Sequence, residues 1–148
     1  MSRKELIEKI KTKFSIEELV CKHIAEGYDE KTAWMFLDDK LLETLYALRF
    51  NILCKPITVN TSLLKERGIR CNRCDTVKGK NKVYMSAHVL GKAIDFNVED
   101  MDAEEARNII KEKAYMLPYN VRIENNVSWI HIDVYDNLSG EKITTFNG

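Results

Sequence analysis

The amino-acid sequence predicts an α+β fold in which an antiparallel sheet packs against helices. Two observations support this class. Apolar residues recur every three or four positions in the first third of the chain and again after residue 102, as in amphipathic helices. The remaining segments contain short β-branched or alternating runs bounded by Asn, Gly and Pro, as in strands joined by tight turns. Helices on one face of an antiparallel sheet give this class.

Composition limits the domain organisation and the function classes. A chain of 148 residues with 45% hydrophobic content has the size of one domain, so we expect a single domain over residues 1–148. Its helical part should cover about residues 1–50 and its sheet about residues 56–146. Lysine plus arginine and aspartate plus glutamate each number 23, so we expect no extended surface for nucleic acid or anionic membranes.

The amino-terminal residues predict the compartment. Residues 1–19 carry charges throughout and lack the apolar run of a signal peptide, and no window of the sequence is apolar enough to span a bilayer. We therefore expect synthesis in the cytoplasm and no membrane insertion. Four cysteines in such a chain are expected to be thiols or metal ligands, not disulfides.

Two helices are predicted from apolar spacing. The first covers residues 28–49, and its apolar stripe is formed by Trp34, Leu37, Leu41, Leu45 and Leu48. The second covers about residues 103–116, because Asp102 can cap it, Glu105 lies three residues further on, and Pro118 ends it. Its buried stripe is expected to contain Ala106, Ile109, Ile110 and the aliphatic part of Lys113.

Five strands and one long loop complete the prediction. The strand segments are 56–59, 92–96, 120–124, 128–135 and 142–146. Asn125-Asn126 is predicted to form a hairpin turn, and residues 137–140 another. Residues 65–85 contain the glycines and charges of a long, irregular loop that could serve function.

Strand alternation predicts which side chains share a face. In residues 128–134, Ile130, Ile132 and Val134 should face the core, so His131 and Asp133 face the other way. Asp95 should share that polar face if its strand is a neighbour. A turn at Gly91 could bring the ring of His88 back over the strand, with Gly91 and Ala93 leaving space for an ion and a substrate.

Two imidazoles and one carboxylate form the three-ligand set of a catalytic zinc site, which leaves a fourth position open. His88, Asp95 and His131 would be the ligands of that site. The alternative interpretation is that His88 and His131 are unrelated surface or hydrogen-bonded histidines.

The segments SAHVLGKAIDF (86–96) and WIHIDV (129–134) carry a family resemblance. They resemble the Ser-x-His-x-x-Gly-x-Ala-x-Asp and Trp-x-His signature of the zinc D-alanyl-D-alanine carboxypeptidase and L-alanyl-D-glutamate endopeptidase family. Relatives in that family include vancomycin-resistance dipeptidases, bacteriophage endolysins and the zinc domain of Hedgehog proteins. The match covers roughly residues 56–134.

The resemblance has consequences for fold, cofactor and substrate. It implies that His88, Asp95 and His131 bind Zn²⁺ on a central antiparallel sheet of the Hedgehog/DD-peptidase type. It also implies a zinc metallopeptidase that cleaves peptidoglycan stem peptides, as a carboxypeptidase or as an endopeptidase. A bacteriophage or prophage origin would follow, with action on the cell wall after release or as part of a phage particle, by a monomer.

Further site residues follow from the same resemblance. The segment GIRC (68–71) is similar to a Gly-Tyr-Arg element of the family, which would make Arg70 a contact to substrate or transition state. A solvated loop charge is the alternative for Arg70. Ser86 would help to shape the pocket, and Trp129 would form a pocket wall or pack in the core.

The general base is less well defined. Many relatives have an acidic residue three positions before the last histidine, and here that position is Ser128. Glu124 is the first replacement, and Asp133 is the second, although Asp133 could equally be a structural partner to a lysine or to an imidazole N–H. If Asn125-Asn126 formed a tight turn, Glu124 would lie about 13 Å from His131 along the strand. Glu124 can therefore act as general base only if the hairpin loop is wider and folds back over the metal.

The cysteines leave several alternatives open. Cys71 and Cys74 have Cys-x-x-Cys spacing, and Cys21 and His23 could complete a structural zinc site. Reduced thiols or a redox pair are the other interpretations of these residues. Cys54 is predicted to be a small buried hydrophobic residue.

Two other function classes remain open at this stage. One is a binding module of the same fold that retains zinc but not hydrolysis, which the serine at position 128 favours. The other is a structural zinc protein that is organised around its cysteines.

Overall fold

The computed structural model describes residues 1–135 and 139–148, and it confirms the α+β class. The helices are α1 (Arg3–Lys11), α2 (Ile16–Leu19), α3 (Lys22–Gly27), α4 (Glu30–Met35), α5 (Asp39–Ala47), α6 (Asp75–Lys78) and α7 (Ala103–Glu112). The strands are β1 (Ile57–Thr58), β2 (Ala93–Val98), β3 (Val121–Asn125), β4 (Ile130–Asp133) and β5 (Ile143–Asn147). A π-helical turn (Leu48–Ile52) follows α5, and a 3₁₀ turn (Ala114–Met116) follows α7.

The helix predicted over residues 28–49 is two helices, α4 and α5. The break lies at Asp38, whose side chain accepts a hydrogen bond from the backbone N–H of Lys40 (2.8 Å) and caps α5. The backbone N–H of Asp38 donates to Gly91 O (3.0 Å), so it is not available to continue α4. The five apolar residues of the predicted stripe are all buried, because both helices face one core.

Helix α7 begins where the sequence predicts and ends earlier than predicted. Asp102 accepts from the backbone N–H of Glu105 (2.8 Å), which confirms the cap. The buried face contains Ala106 and Ile110 as expected, whereas Ile109 is only partly buried. Arg107 is 3% exposed, and no apolar pattern predicts a buried arginine on this face.

The sheet has the strand order β1-β2-β4-β3-β5 and is mostly antiparallel. Strand β5 departs from the prediction, because it lies beside β3 and runs parallel to it. The predicted turn over residues 137–140 falls partly on residues 136–138, which lie outside the described residues. The predicted long loop over 65–85 is irregular apart from the single turn of α6.

The connection between β3 and β4 is wider than predicted. Asn125 is the last residue of β3, Asn126 has a φ of 61°, and residues 126–129 form the loop. Arg107 of α7 holds this loop by donating to Trp129 O (3.0 Å) and to Val127 O (3.1 Å). The predicted two-residue turn at Asn125-Asn126 is therefore wrong, because a buried arginine from a distant helix stabilises the wider loop.

One hydrophobic cluster joins the helices to the sheet. It contains apolar residues from Leu6 in α1 to Val134 after β4, including Ile94, Phe96, Ile130 and Ile132 on the predicted core face of the sheet. Cys54 was expected in this core but is exposed with a φ of 54°, because the chain turns there after the π-helical segment. Within the described ranges, none of the helices has the length and hydropathy to cross a membrane.

Candidate metal centre

Three side chains from separate parts of the chain converge at the middle of the sheet. They are His88 in the turn before β2, Asp95 in β2 and His131 in β4, and their candidate ligand atoms all lie within 4.8 Å of one another. Asp95 Oδ1 lies 3.3 Å from His88 Nε2 and 2.8 Å from His131 Nδ1. The side chains that the sequence singled out as a ligand set thus meet at one point.

The strand register brings two of these side chains together. Asp95 of β2 lies directly opposite His131 of β4 in the antiparallel ladder. Opposite residues in such a pair project to the same face with Cβ atoms about 5 Å apart. The cross-strand pairing predicted from alternation is therefore present.

The turn at residues 87–91 brings the third side chain. Ser86 Oγ accepts from the backbone N–H of Val89 (3.3 Å), so Ser86 caps the turn that carries His88. Gly91 closes the turn with a φ of 69°, and a Cβ there would collide with the carbonyl oxygen of Phe36. The expected role of Gly91 in leaving space for an ion is wrong, because helix α4 fills that space; Ala93 is likewise fully buried.

Hydrogen bonds fix which nitrogen of each histidine faces inward. His88 Nδ1 lies 2.8 Å from Gly68 O, and because a carbonyl only accepts, Nδ1 must carry the proton. The other ring nitrogen of His88, Nε2, then faces Asp95. His131 is held in the opposite sense, with Nε2 against Asp133 Oδ2 (2.8 Å) and Nδ1 facing Asp95. Orienting contacts of this kind are typical of metal-binding histidines.

Asp133 lies beneath His131 and is completely buried. Its oxygens accept hydrogen bonds from Arg122 Nε (2.9 Å) and Nη2 (3.0 Å), from the backbone N–H of Tyr135 (3.0 Å) and from His131. Asp133 was expected as a substrate contact and as the second candidate base. Its burial and these four hydrogen bonds leave no oxygen for either role, and only the imidazole-holding alternative fits its position.

Arg70 contacts the carboxylate of Asp95 from the other side. Its Nη2 lies 3.3 Å from Asp95 Oδ2, and its Nε donates to Glu66 O (2.6 Å). The backbone N–H of Arg70 donates to His88 O (3.1 Å). Asp95 therefore presents Oδ1 to both histidines while Oδ2 is held by a guanidinium.

The ionisation of the cluster follows from these contacts. Burial opposes charge on Asp95, but hydrogen bonds from His131 and His88 outweigh it and hold the Asp95 pKa well below its usual range. Burial lowers the pKa of His131, but the hydrogen bonds and charges of Asp133 and Asp95 outweigh it and raise that pKa to about 9. The cluster therefore provides an environment in which positive charge is strongly favoured.

The donor set and its dimensions fit zinc. Adjacent nitrogen and oxygen ligands of a tetrahedral zinc ion are about 3.4 Å apart, given bonds of about 2.0–2.2 Å. The 3.3 Å between His88 Nε2 and Asp95 Oδ1 matches this edge, and the 2.8 Å between His131 Nδ1 and Asp95 Oδ1 is a hydrogen bond that a cation would replace. Three protein ligands leave one position of a tetrahedron open.

Glu124 lies beside this cluster because of the wide loop. The β3–β4 ladder pairs Arg122 with Asp133 and Ile123 with Ile132, so continuing the register by one residue places Glu124 opposite His131. The loop is wider, as a role for Glu124 requires, but in the described residues the Glu124 carboxylate forms no hydrogen bond with the three converging side chains. Phe146 of β5 pairs with Glu124, and its ring lies 5.6 Å from that of His131.

Trp129 lies in the loop just before β4 and is half-buried. Its indole Nε1 is buried and has no hydrogen-bond partner within residues 1–135 and 139–148. Trp129 is therefore two residues from His131 along the chain, with an N–H that no described residue accepts. Ser128 is exposed at the tip of the same loop.

Several supporting residues were not singled out from the sequence. They are Gly68, whose carbonyl orients His88, and Arg107, Arg122 and Phe146. Arg122 could have been found by alternation, because it lies on the polar face of a strand with a charge opposite to that of Asp133. Gly68 acts through its backbone and Arg107 through a long-range contact, and neither leaves a pattern in the sequence.

The chain was compared with protein families, with curated proteins and with solved structures. A family model described as Peptidase M15 matches residues 12–133, which is most of the chain. Comparisons with curated proteins and with solved structures gave no match. The matched segment contains all three converging side chains and ends at Asp133.

Proposed function

Because the chain belongs to the peptidase M15 family, a family of zinc metallopeptidases, we propose that it hydrolyses peptidoglycan stem peptides with zinc held by His88, Asp95 and His131. The observation that carries the proposal is the convergence of these side chains within 4.8 Å, each with a donor atom directed inward. The open fourth position of such a site favours a catalytic zinc over a structural one.

The bound ion would supply Lewis acidity to the scissile carbonyl and to a water molecule. The chain's own residues would keep the donor atoms in place. Asp133 fixes the ring of His131, Gly68 O fixes the ring of His88, and Arg70 fixes the carboxylate of Asp95. Because these contacts already orient the ligand side chains, little free energy is needed to position them for the reaction.

Glu124 is the proposed general base. It would take a proton from the attacking water as the water oxygen bonds to the carbonyl carbon, and would return a proton to the amine as the C–N bond breaks. Its position across from His131, at the end of the β3–β4 ladder, supports this role. Asp133 is no longer a candidate base, because it is fully buried and fully hydrogen-bonded.

Two side chains are proposed to contact the substrate. The indole N–H of Trp129 lacks a protein partner in the described residues and is suited to a peptide carbonyl. Arg70 supports Asp95, and a substrate carboxylate could share its guanidinium. Ser86 acts on the substrate only indirectly, through the turn that carries His88.

The choice of peptidoglycan and of a phage-type role comes from the resemblance to wall-cleaving relatives. Under this proposal the protein is made in the cytoplasm and acts on the cell wall after release, or from a phage particle, as a monomer. Both a terminal D-alanine and an internal L-alanyl-D-glutamate bond remain candidates for the scissile bond.

Hydrolysis of defined stem peptides tests the proposal. Purified protein is incubated with a synthetic pentapeptide ending in D-alanyl-D-alanine and with a peptide containing L-alanyl-D-glutamate, with and without chelator. Release of free D-alanine identifies a carboxypeptidase, and a new amino terminus identifies an endopeptidase. Glu124→Gln should keep zinc and lose most turnover, whereas the matched Glu141→Gln, at an exposed glutamate, should keep both.

A recognition module that retains zinc but lacks hydrolysis is the second candidate function. Ser128 replaces the acidic residue that many relatives have, and Glu124 forms no hydrogen bond with the three side chains in the described residues, which favours this candidate. Zinc binding with stem-peptide affinity, but with neither D-alanine nor new amino termini released, would identify the module.

A further inference from the structure

We infer that Cys21, His23, Cys71 and Cys74 form a second zinc site, separate from the three-residue centre, whose role is structural. The candidate ligand atoms of these four residues all lie within 4.8 Å of one another. The chain brings them from two regions about fifty residues apart in sequence, so their convergence is not a consequence of local spacing.

The distances match a tetrahedral zinc ion with sulfur and nitrogen ligands. With Zn–S and Zn–N bonds of about 2.3 and 2.05 Å, two sulfurs are about 3.8 Å apart and a sulfur and a nitrogen about 3.6 Å. Cys71 Sγ and Cys74 Sγ are 4.0 Å apart. His23 Nδ1 lies 3.4 Å from Cys71 Sγ and 3.9 Å from Cys74 Sγ.

Backbone contacts align the two segments that supply the ligands. Val20 and Ile69 form a parallel bridge, and the backbone N–H of Ile69 donates to Leu19 O (2.9 Å). Gly68 permits this approach, because a Cβ at that position would collide with the Leu19 backbone. Cys21, at the start of α3, and Cys71 follow this contact directly and therefore lie side by side.

The Cys-x-x-Cys turn is arranged to accept negative charge on sulfur. The backbone N–H of Cys71 is directed at Cys74 Sγ (3.4 Å), and the backbone N–H of Arg73 is directed at Cys71 Sγ (3.4 Å). Such donors stabilise thiolates, which are the form that binds metal. A disulfide between Cys71 and Cys74 would leave the Cys21 thiol and the His23 imidazole beside it without a metal ion to bind.

The ligand number indicates a structural site. Four protein donors complete the coordination of zinc and leave no position for substrate, as in Cys₃His sites. An open cleft lined in part by Cys21, His23 and Cys74 gives the ion a route from solvent.

The second ion would stabilise the segment that supports the three-residue centre. Residues 68–71 lie between the two sites: Gly68 O accepts from His88, and Arg70 contacts both His88 O and Asp95. In the long loop over 65–85, the described residues form only the short helix α6, so regular secondary structure contributes little to its order. Pinning Cys71 to α3 therefore restricts Gly68 and Arg70.

Zinc stoichiometry tests the inference directly. Native protein purified under reducing conditions should contain two zinc ions per chain. The double variant His88→Ala/His131→Ala should keep one, and Cys71→Ser should lose one of the two. Cys54→Ser is the matched control, since Cys54 is exposed and lies outside both groups, and it should keep two.

Cobalt substitution in the His88→Ala/His131→Ala variant identifies the remaining ligands, even if Cys71→Ser fails to fold. We expect intense thiolate-to-cobalt charge-transfer bands and the absorption of tetrahedral cobalt. One zinc in the native protein and none in the double variant, or absence of charge-transfer bands, would overturn the inference. Recovery of a Cys71–Cys74 disulfide from freshly purified native protein would also overturn it. Each result is independent of whether stem peptides are cleaved.

Discussion

His131 Nε2 lies 2.8 Å from Oδ2 of Asp133, which is two residues further along β4. Arg122 of β3 donates two hydrogen bonds to the same carboxylate. The contact turns Nδ1 of His131 toward Asp95. A buried charge at Asp133 is tolerated because Arg122 and His131 both compensate it. Asp133 thus sets the orientation of a proposed zinc ligand without touching the ion.

Replacing Asp133 should weaken metal binding without removing a ligand. In Asp133→Asn, the amide loses the charge that holds the imidazole N–H, so we expect zinc affinity to fall about 10–100-fold. Competition with a chromophoric chelator measures the affinity. Unchanged affinity in a folded Asp133→Asn protein would refute the orienting role.

Arg107 should be needed for the loop that places Glu124. Arg107→Met removes charged donors to the carbonyls of Val127 and Trp129, which we expect to cost roughly 2–3 kcal/mol of unfolding free energy. Urea unfolding measures this cost. Lys111→Met, at an exposed position of the same helix, is the control and should change stability little.

The same Arg107→Met variant should separate the base from the metal site. Turnover should fall more than zinc content, because Glu124 lies two residues before the loop at the end of β3, while the β2–β4 pair keeps Asp95 and His131 together. Equal losses of zinc and turnover would show that Arg107 supports the ligands and not the loop.

Gly91 should not tolerate a side chain. Gly91→Ala places a Cβ at a φ of 69° and against the carbonyl oxygen of Phe36, so we expect a loss of about 2 kcal/mol or more and displacement of His88. Thermal unfolding and zinc content measure the two effects. Gly79→Ala is the control, because no atom lies within 4 Å of its added Cβ and its φ is negative. Equal stability of the two variants would contradict the assigned role of Gly91.

Acid should weaken the contact between α5 and the turn before β2. Burial raises the pKa of Asp38, but Lys92 (2.9 Å) and the backbone N–H of Lys40 outweigh it, so the folded pKa is below its ordinary value. A carboxyl group whose pKa is depressed by folding stabilises the fold at pH values above its pKa in the unfolded chain. This stability is lost as the pH falls through its pKa in the folded protein. We therefore expect Asp38→Asn to be less stable than wild type at neutral pH.

The difference between Asp38→Asn and wild type should shrink as the pH falls below about 4, where the carboxyl of the unfolded chain becomes protonated, and should vanish once the pH is below the lower pKa of the folded state. Urea unfolding at a series of pH values measures the difference. A gap that stays constant from pH 7 to pH 3 would show that charge on Asp38 does not contribute.

The sequence predicted the β2–β4 part of the site because alternation is a local rule. Two neighbouring strands whose polar faces lie on the same side of the sheet are enough to bring Asp95 and His131 together, and each strand carries its own pattern. The break at Asp38 was also encoded locally, in an aspartate that caps a new helix, but the continuous apolar stripe concealed it.

Other features depend on contacts that a single sequence does not display. The width of the β3–β4 loop depends on Arg107 from α7, and the need for Gly91 depends on a carbonyl of α4. The parallel pairing of β5 with β3 also escaped prediction, because strand neighbours are set by the packing of the whole sheet. Residues that act through their backbone, such as Gly68, leave no side-chain signal.

Anomalous scattering at the zinc edge from crystals of the native protein tests the central claim most directly. We predict an ion bound to His88 Nε2, Asp95 Oδ1 and His131 Nδ1, with a fourth ligand that is not a protein atom. Absence of an ion between these three atoms in zinc-containing crystals, or their engagement only in hydrogen bonds with one another, would contradict the account.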